Sequence, residues 1–530
     1  MGSADIKFSF STELVVERRA DIILVPVTTA ASSRRRGRPT KKEAAKPEAK
    51  KAGLLMTPVL SQLDEAMGGA LRKIARDEQF TGAKGKLLSL RVGDNDKVAA
   101  RKIILVGMGD PAKVSLRTVQ TTFTRAFGAA LELNNLSTVS VVVPAESPNH
   151  TMAQWVSMVV DVAHGATYCT QESLKPNPAL GRVVLLTEKL PSINLRKALN
   201  EAVVLAKAKN VVKDLVNKPA NLKKPETLAA LAKDLAKTHK SLKVKIQDDA
   251  KWIEKEMPCF FEVARGSVES DPPRFITLHY SPTAVGAKRR RNTKKIALVG
   301  KGVMFDTGGY QIKPGNSMVT MKGDMTGSAC VLATMQAIAE LAPNIEVSAY
   351  VAATPNKISA QAMICDSVVS TTCGKKVEIR HTDAEGRLTL IDAVAMACKD
   401  EPDAVLTIAT LTGAASMAVG LSIALMANDQ SLRDAVEKAA RWVGDPVQTL
   451  DITDEDFDNI LSDMDGADLR NTNKGDGRGS QTAGAFVMCG APEGTPVVHL
   501  DIAGADMTKD EKATAIGVKT LIQWVLNEAG

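Results

Sequence analysis

Histidine and cysteine are scarce in this chain of 530 residues, at six and seven, and aromatic residues make up only 4%. The cysteines, Cys169, Cys259, Cys330, Cys365, Cys373, Cys398 and Cys489, are odd in number and form no CxxC pair. A disulfide framework is therefore excluded, and buried thiols in a reducing compartment are expected. There is no HExxH, no GxSxG and no Cys-His pair at a recognisable spacing, so zincin, serine hydrolase and cysteine protease readings have no support. An uninterrupted membrane-length apolar run is also missing. Ala404 to Ala427 carries no charge over 24 residues, but Thr407, Thr410, Thr412, Gly413, Ser416, Gly420 and Ser422 break it. A buried strand, a loop and a second buried element are expected there, and no membrane association. The first residues lack a continuous apolar stretch and include Asp5, Glu13 and Glu17. Neither a secretory leader nor an acid-poor transit peptide is expected. Gly2 is followed by Ile6 where a myristoylation motif wants Ser or Thr. No internal repeat of fixed period is visible.

What is present begins with length and charge. A chain this long with 44% hydrophobic residues predicts two or more domains with substantial cores. The net charge of +8 is concentrated in two tracts: +7 lies in Arg34 to Lys51 and +6 in Lys288 to Lys295, leaving −5 on the other 504 residues. The basic balance speaks for those tracts and not for the body of the protein.

Short apolar, β-branched runs (KFSFST, DIILVPV, LLSLRV, KIILVGMG, TVSVVVP, RVVLLT) alternate with helical stretches such as Leu116 to Leu133 and Met152 to His164 in the first third. They predict a smaller N-terminal α/β domain over residues 1–193, with a solvated basic insertion at 32–53 that cannot bury a core. Asn194 to Val216 reads as a linking helix. Residues 217–530 form a second, larger α/β domain with a mixed central sheet covered by helices and a basic loop extension at 286–295. Its strands are KVKIQ, FITLHY, KKIALVGKG, EVSAYVAAT, KKVEIRH, AVLTIATLTG and VVHLDIAG, with helices at Gly327 to Leu341 and Leu388 to Lys399. Nearly continuous apolar runs suit strands covered on both faces.

Four segments at strand ends, where open α/β sheets place ligands, are rich in acids and glycines. They are GKGVMFDTGGYQIKPG (Lys301, Asp306, Lys313), MKGDMTG (Asp324), HTDAEGRL (Asp383, Glu385, Arg387) and TLTG (Thr410 to Gly413). Converging carboxylates need a counter-charge, which a pair of divalent metals about 3.5–4 Å apart would supply while activating water for hydrolysis. Asp383 and Glu385, two apart at the end of an extended run, are expected to face the same side. A single such Asp is more often a turn former or helix cap than a ligand. Lys301 between glycines lacks the remainder of a phosphate loop.

In this order, GKGVMFDTGGYQIKP, MKGDMTG, HTDAEGRL, ATLTGA and HLDIAG closely resemble the catalytic half of the leucyl aminopeptidase family (the M17 type). NKPANLKKPE is similar to its inter-domain segment. The resemblance implies a metallo-aminopeptidase that releases N-terminal residues from peptides. It implies two divalent ions per subunit, zinc or manganese with magnesium as a further candidate, held by Lys301, Asp306, Asp324, Asp383 and Glu385. Lys313 would stabilise the oxyanion, and Arg387 would hold bicarbonate as a proton shuttle. Met321, His381, Thr410, Leu411, Gly413 and Asp506 would contact substrate. A cytoplasmic homohexamer is the implied assembly.

Two positions depart from the family pattern. His381 stands where Asn is usual, and Asp506 stands where an apolar or small residue surrounds the pocket for the first residue. Asp506 either favours a basic or polar N-terminal residue, marks relaxed constraint on activity, or turns to solvent. RRRGRPTKK contains the RGRP core of an AT-hook, and KRRRNTKK is a second basic loop. They suggest nucleic acid or another polyanion as a partner through 34–51 and 288–295, and leave nuclear or other organellar targeting open. The alternative function is a catalytically weak or inactive peptidase-fold protein that binds polyanions. A metal-dependent phosphohydrolase would use similar acids but leaves the ordered motifs unexplained.

Overall fold

The computed structural model describes residues 5–30, 53–92, 97–145, 147–170, 180–282, 293–475 and 477–530. The basic tract 34–51 and residues 288–292 of the second tract lie outside them. The chain forms two compact units, Met1–Ala206 and Lys207–Gly530.

The first unit runs β1 (Lys7–Ser11), β2 (Ile22–Thr28), α1 (Pro58–Ala66), α2 (Ala70–Asp77), β3 (Leu87–Arg91), β4 (Lys102–Gly109), α3 (Leu116–Leu131), β5 (Thr138–Val142), α4 (Met152–Ala166) and β6 (Arg182–Leu186). Helix α5 (Ile193–Asn217) follows, and the division between units falls within it. The sheet order is β1-β6-β5-β2-β4-β3, and the pairings are parallel except that of β3 with β4. Period-two alternation explains why its strands read as continuously apolar. Ile22 and Leu24 face Phe123, Phe127 and Trp155 of α3 and α4, while Ile23, Val25 and Val27 face Leu60, Leu63 and Leu71 of α1 and α2.

The second unit continues with α6 (Pro225–Thr238), β7 (Leu242–Gln247), α7 (Ala250–Glu256), α8 (Pro258–Ala264), β8 (Arg274–Tyr280), β9 (Lys295–Asp306), α9 (Thr326–Leu341) and β10 (Glu346–Asn356). After β11 (Val368–Ser370) and β12 (Lys376–Glu378) come α10 (Gly386–Cys398), β13 (Ala404–Ala409), α11 (Gly413–Val419), β14 (Ile423–Ala427) and α12 (Gln430–Val443). The chain ends with β15 (Val447–Thr449), α13 (Asp454–Asp458), β16 (Leu469–Arg470), α14 (Gly479–Met488), β17 (Val497–Asp501) and α15 (Val518–Glu528). Eight strands form one sheet, β15-β14-β17-β13-β9-β10-β8-β7. Its centre, β17-β13-β9-β10, is parallel, and β8 and β7 continue it antiparallel. The sheet is mixed, as the sequence predicts. The charge-free run 404–427 resolves into β13, α11 and β14. Among the described residues no helix is long and apolar enough to cross a membrane.

Helix α10 covers the face of β9 to which Val299 points, through Leu390 and Val394. Helix α9 lies against Gly300 on the opposite face. The approach is so close that a Cβ on Gly300 would stand 2.6 Å from Ser328 Cα, and one on Gly327 would stand 2.1 Å from Ile408 O. Glycine at both positions lets the start of α9 reach the carboxyl ends of β9 and β13.

One expected strand is cut short. KKVEIRH predicts an extended run to His381, but β12 stops at Glu378 and belongs to a small sheet, β11-β12-β16. The side chain of Asn471 takes over the following backbone groups. Its Oδ1 accepts from the N–H of Arg380 (2.7 Å) and His381 (3.1 Å), and its Nδ2 donates to the carbonyls of His381 (2.7 Å) and Ala384 (3.3 Å). The segment turns instead of laddering.

A second side-chain clamp lies between α13 and α14. Fully buried Asp456 accepts from Arg478 through both carboxylate oxygens (2.6 and 2.5 Å) and from Thr453 N–H (2.8 Å). Burial works against its ionisation, but Arg478 and the N–H hold its carboxyl below the ordinary value. That contribution is complete above the unfolded-state pKa and is lost as pH falls through the lowered folded-state value. Asp456→Asn should therefore cost about 1–2 kcal/mol at pH 7, read as a shift in urea midpoint. The gap to the parent protein should narrow at pH 3.

Candidate metal centre

Strand β9 carries two of the site residues on its last turn of sequence. Lys301 and Asp306 are both buried. Asp306 is held by Asn356 Nδ2 and Gly308 N–H, both at 2.9 Å on Oδ1, while Lys313 Nζ approaches Oδ2 at 2.7 Å. Asn356 also donates to Thr382 O at 3.1 Å, tying the end of β10 to the HTDAEGRL turn.

Asp324 arrives from the tight turn Met321–Gly323 that leads into α9. Its Oδ1 accepts from Lys301 Nζ (2.7 Å) and Thr410 Oγ1 (2.8 Å), whereas its buried Oδ2 has no hydrogen-bond partner. Lys301 Nζ lies 2.9 Å from Glu385 Oε1 and donates to Thr410 O at 3.0 Å. Glu385 stands at the start of α10 in a helical conformation (φ −77, ψ −35). Asp383, in the turn before it, ion-pairs with Lys313 Nζ at 2.6 Å. The two acids thus converge by a turn into a helix and not by strand alternation, which corrects the expectation from spacing.

Ligand oxygens of Asp306, Asp324 and Glu385 all lie within 4.8 Å of one another, and all three residues are buried. Asp383 stands outside that trio and joins it through Lys313. Burial would lower both lysines, but the surrounding acids outweigh it and hold both above the ordinary value. Burial and mutual repulsion push Asp324, Asp383 and Glu385 up. Four acids face two ammonium groups, so with its acids ionised the cluster carries more negative charge than its own cations offset, and the upward shifts of three acids are the sign of that excess. In this arrangement the lysine ammoniums stand where further cationic charge is needed. An unpaired buried carboxylate oxygen among hard oxygen donors and one amine fits divalent metal ions. Lys301 has room because residue 386 is glycine: a Cβ there would lie 2.5 Å from Lys301 Cε.

Arg387 follows on α10 and is buried, with its Nε unpaired. Burial pulls it down to about 10 against the pull of Glu385 and Asp501. His381 is half-buried; burial and then Arg387 lower it. Its Nδ1 accepts from the Asp383 N–H at 3.2 Å, which assigns the ring proton to Nε2. Thr410 touches Asp324, Leu411 is placed by its N–H on Asp501 Oδ1 (3.1 Å), and Gly413 opens α11. Met321 sits at the start of the turn before Asp324. Asp506 does not turn to solvent. It is half-buried, its Oδ2 lies 3.5 Å from where a Cβ of Gly323 would be, and burial pushes its carboxyl up to about 7.

Three residues that hold the site carry little signal in the sequence. Fully buried Asp501 anchors the Thr410–Gly413 loop through Leu411 N–H and Thr412 Oγ1 (2.7 Å); it lies inside the HLDIAG motif but apart from the obvious acids. Asn356 has no motif. Lys223 Nζ donates to Leu215 O (3.1 Å), Val216 O (3.4 Å) and Lys322 O (2.5 Å), with burial lowering it to about 7. Its short loop gives no hint that it supports the Asp324 turn.

The family model described as the cytosol aminopeptidase family, catalytic domain, matches residues 210–522, and that of the family's N-terminal domain matches 46–172. A probable cytosol aminopeptidase of Bordetella avium is 35% identical over 486 residues, covering 90% of this chain and 94% of the relative. One from Picosynechococcus is 35% identical over 478 residues, covering 88% and 93%. Among solved structures, a tomato leucine aminopeptidase mutant is similar with a TM-score of 0.83 and 28% identity, covering 99% of this chain and 97% of that one. The bottromycin maturation enzyme BotP in complex with Mn has a TM-score of 0.77 and 25% identity, covering 96% and 100%.

If Lys301 is a metal ligand, as the family resemblance implies, and the space beside α10 sets its position, Gly386→Ala should weaken Mn binding at least about tenfold, the scale for disturbing the residues that orient a metal ligand. Titration calorimetry on chelator-treated protein reads the affinity, and circular dichroism reads the retained fold. An unchanged affinity would show that Lys301 does not need that space.

Proposed function

The chain belongs to the cytosol aminopeptidase family and is a peptidase by that membership, and from this premise we propose that it removes N-terminal residues from peptides with the help of two divalent cations. The observation that carries the reading is the buried trio Asp306, Asp324 and Glu385 with an unpaired oxygen on Asp324. Lys301, Asp306, Asp324, Asp383 and Glu385 would hold the ions, zinc or manganese with magnesium as a further candidate; the Mn complex of BotP supports a manganese-competent fold. Bound there, such ions supply Lewis acidity toward the scissile carbonyl and a water nucleophile at neutral pH.

The remaining work falls to the chain's own side chains. Lys313, already bound to Asp306 and Asp383, presents a positive charge beside the carboxylates, where a tetrahedral oxyanion would be stabilised. Arg387 offers an unpaired Nε to a small anion; we assign it bicarbonate, a carrier for the proton that the leaving amine requires. Met321, Thr410, Leu411 and Gly413 are assigned to substrate contacts around the acids, and His381 to the leaving-residue side. Asp506, beside Gly323, is assigned to the pocket for the first residue, where a carboxylate would favour a cationic side chain. Family resemblance alone supports a homohexamer in the cytoplasm. The polyanion-binding alternative rests on basic tracts that lie mostly outside the described residues.

Mn- or Zn-loaded protein should hydrolyse aminoacyl-amides, and Lys313→Ala or Asp383→Ala should lower kcat/KM at least about a hundredfold, the scale for removing an oxyanion donor. Absence of turnover by the parent protein across a panel of N-terminal residues would sink the peptidase reading. Asp506→Ala should lower the rate ratio of Arg to Leu substrates. In the parent protein that ratio should rise as pH increases through about 7, because the Asp506 carboxyl ionises there. An identical ratio in both proteins would remove Asp506 from the pocket.

A further inference from the structure

The first unit contains a crevice that the peptidase chemistry does not use. It has a volume of about 700 Å³ and lies at the carboxyl ends of β1, β6, β5 and β2, beside the start of α1. Its place follows from the topology. From β2 the chain goes on through α1 and α2 to β3 and then β4 on one side, while from β5 it goes through α4 to β6 on the other. Neighbouring strands whose connections part in opposite directions leave a gap at their carboxyl ends, and open α/β sheets bind ligands there. The volume is within the range of small-molecule sites.

The lining selects the ligand. Pro26, Val59 and Val142, each partly exposed, supply an apolar wall over buried Val25 and Val143, and Leu14, 47% exposed, leaves apolar surface at the rim. Among the described residues no lysine, arginine or histidine lines the crevice. The start of α1 is also a poor anion site: Pro58 has no N–H, and Thr57 Oγ1 already accepts from Leu60 N–H. Among the described residues phosphates and carboxylates therefore find hydroxyl and amide donors (Thr12, Gln62, Thr187) but no cationic side chain. Two carboxylates do line it. Glu13 is occupied by Arg18 Nη1 at 2.5 Å, whereas Glu188 is exposed and has no ion pair among the described residues. One free negative charge above an apolar wall matches one positive charge on an apolar body.

We propose that this crevice is a binding site for an apolar monoamine of amino-acid to dipeptide size, its ammonium group against Glu188 and its body against Pro26, Val59 and Val142. The site is separate from the metal centre and stands whether or not that centre is a peptidase.

Phenethylamine, 2-phenylethanol and phenylacetate share one apolar body and differ in charge, so they test the assignment on the full chain. Chelator-treated protein and saturation-transfer NMR are suitable, since turnover plays no part. Phenethylamine should bind saturably, about fivefold more tightly than the alcohol, the scale for one partly exposed charge pair, and phenylacetate should bind least. Glu188→Gln should reduce the amine to the level of the alcohol. Ala145→Trp, which adds bulk to an exposed residue of the lining, should abolish binding of both. Equal affinity for amine and alcohol, or binding unmoved by both substitutions, would overturn the proposal. So would the absence of saturable binding in a parent protein whose fold is intact by circular dichroism.

Discussion

Too many carboxylates buried in one place is the constraint on which the rest of the second unit depends. Asp306, Asp324 and Glu385 cannot share a space less than 5 Å across, out of water, unless positive charge lies among them. Lys301 and Lys313 supply part of it, each bridging two acids. The residual negative charge of the ionised acids is what suits the cluster to a divalent cation. A structural ion-pair network would have closed on itself, with no carboxylate oxygen left over.

Much of the surrounding architecture serves to bring that charge together. Four elements distant in sequence deliver the acids and lysines to the carboxyl ends of β9 and β13. Two glycines, Gly300 and Gly327, let α9 descend close enough to place Asp324, and a third, Gly386, leaves the slot through which Lys301 reaches. Asn356, Asp501 and Asn471 use amide or carboxylate side chains to hold backbone that has left regular structure. Buried polar groups of this kind are costly unless satisfied, so each fixes one loop geometry. The first unit reaches the opposite result with the same kind of sheet. Among the described residues, the strand ends that line its crevice carry apolar side chains and one carboxylate without an ion pair, Glu188, which suit an organic cation better than a metal.

The parts of this organisation legible in the sequence are those carried by local pattern. The apolar, β-branched runs of β2 and β4, the near-unbroken apolar run of β9, and the helices around Leu116 to Leu133 and Gly327 to Leu341 all read directly, because period and composition are properties of neighbouring residues. The four acids and two lysines stood out as dense acid-glycine clusters at strand ends. Where pattern failed, a distant side chain had intervened. KKVEIRH looks like a strand to its last residue, yet Asn471, some 90 positions on, claims its backbone. For the same reason the alternation argument for Asp383 and Glu385 reached the right neighbourhood by the wrong geometry.

By itself, the sequence determined the α/β class, the apolar strands and the clustering of acids, lysines and glycines at strand ends, since these depend on residue type and short-range spacing. Only the tertiary structure decided which of those residues meet. Whether Asp324 and Glu385 share Lys301, whether Asp383 stands inside or beside the trio, and whether Asp506 faces inward or outward depend on contacts between segments 20 to nearly 200 residues apart. Local periodicity carries no information about such contacts, because they are set by how glycine-permitted close approaches and buried hydrogen bonds bring separate strand ends to a common point.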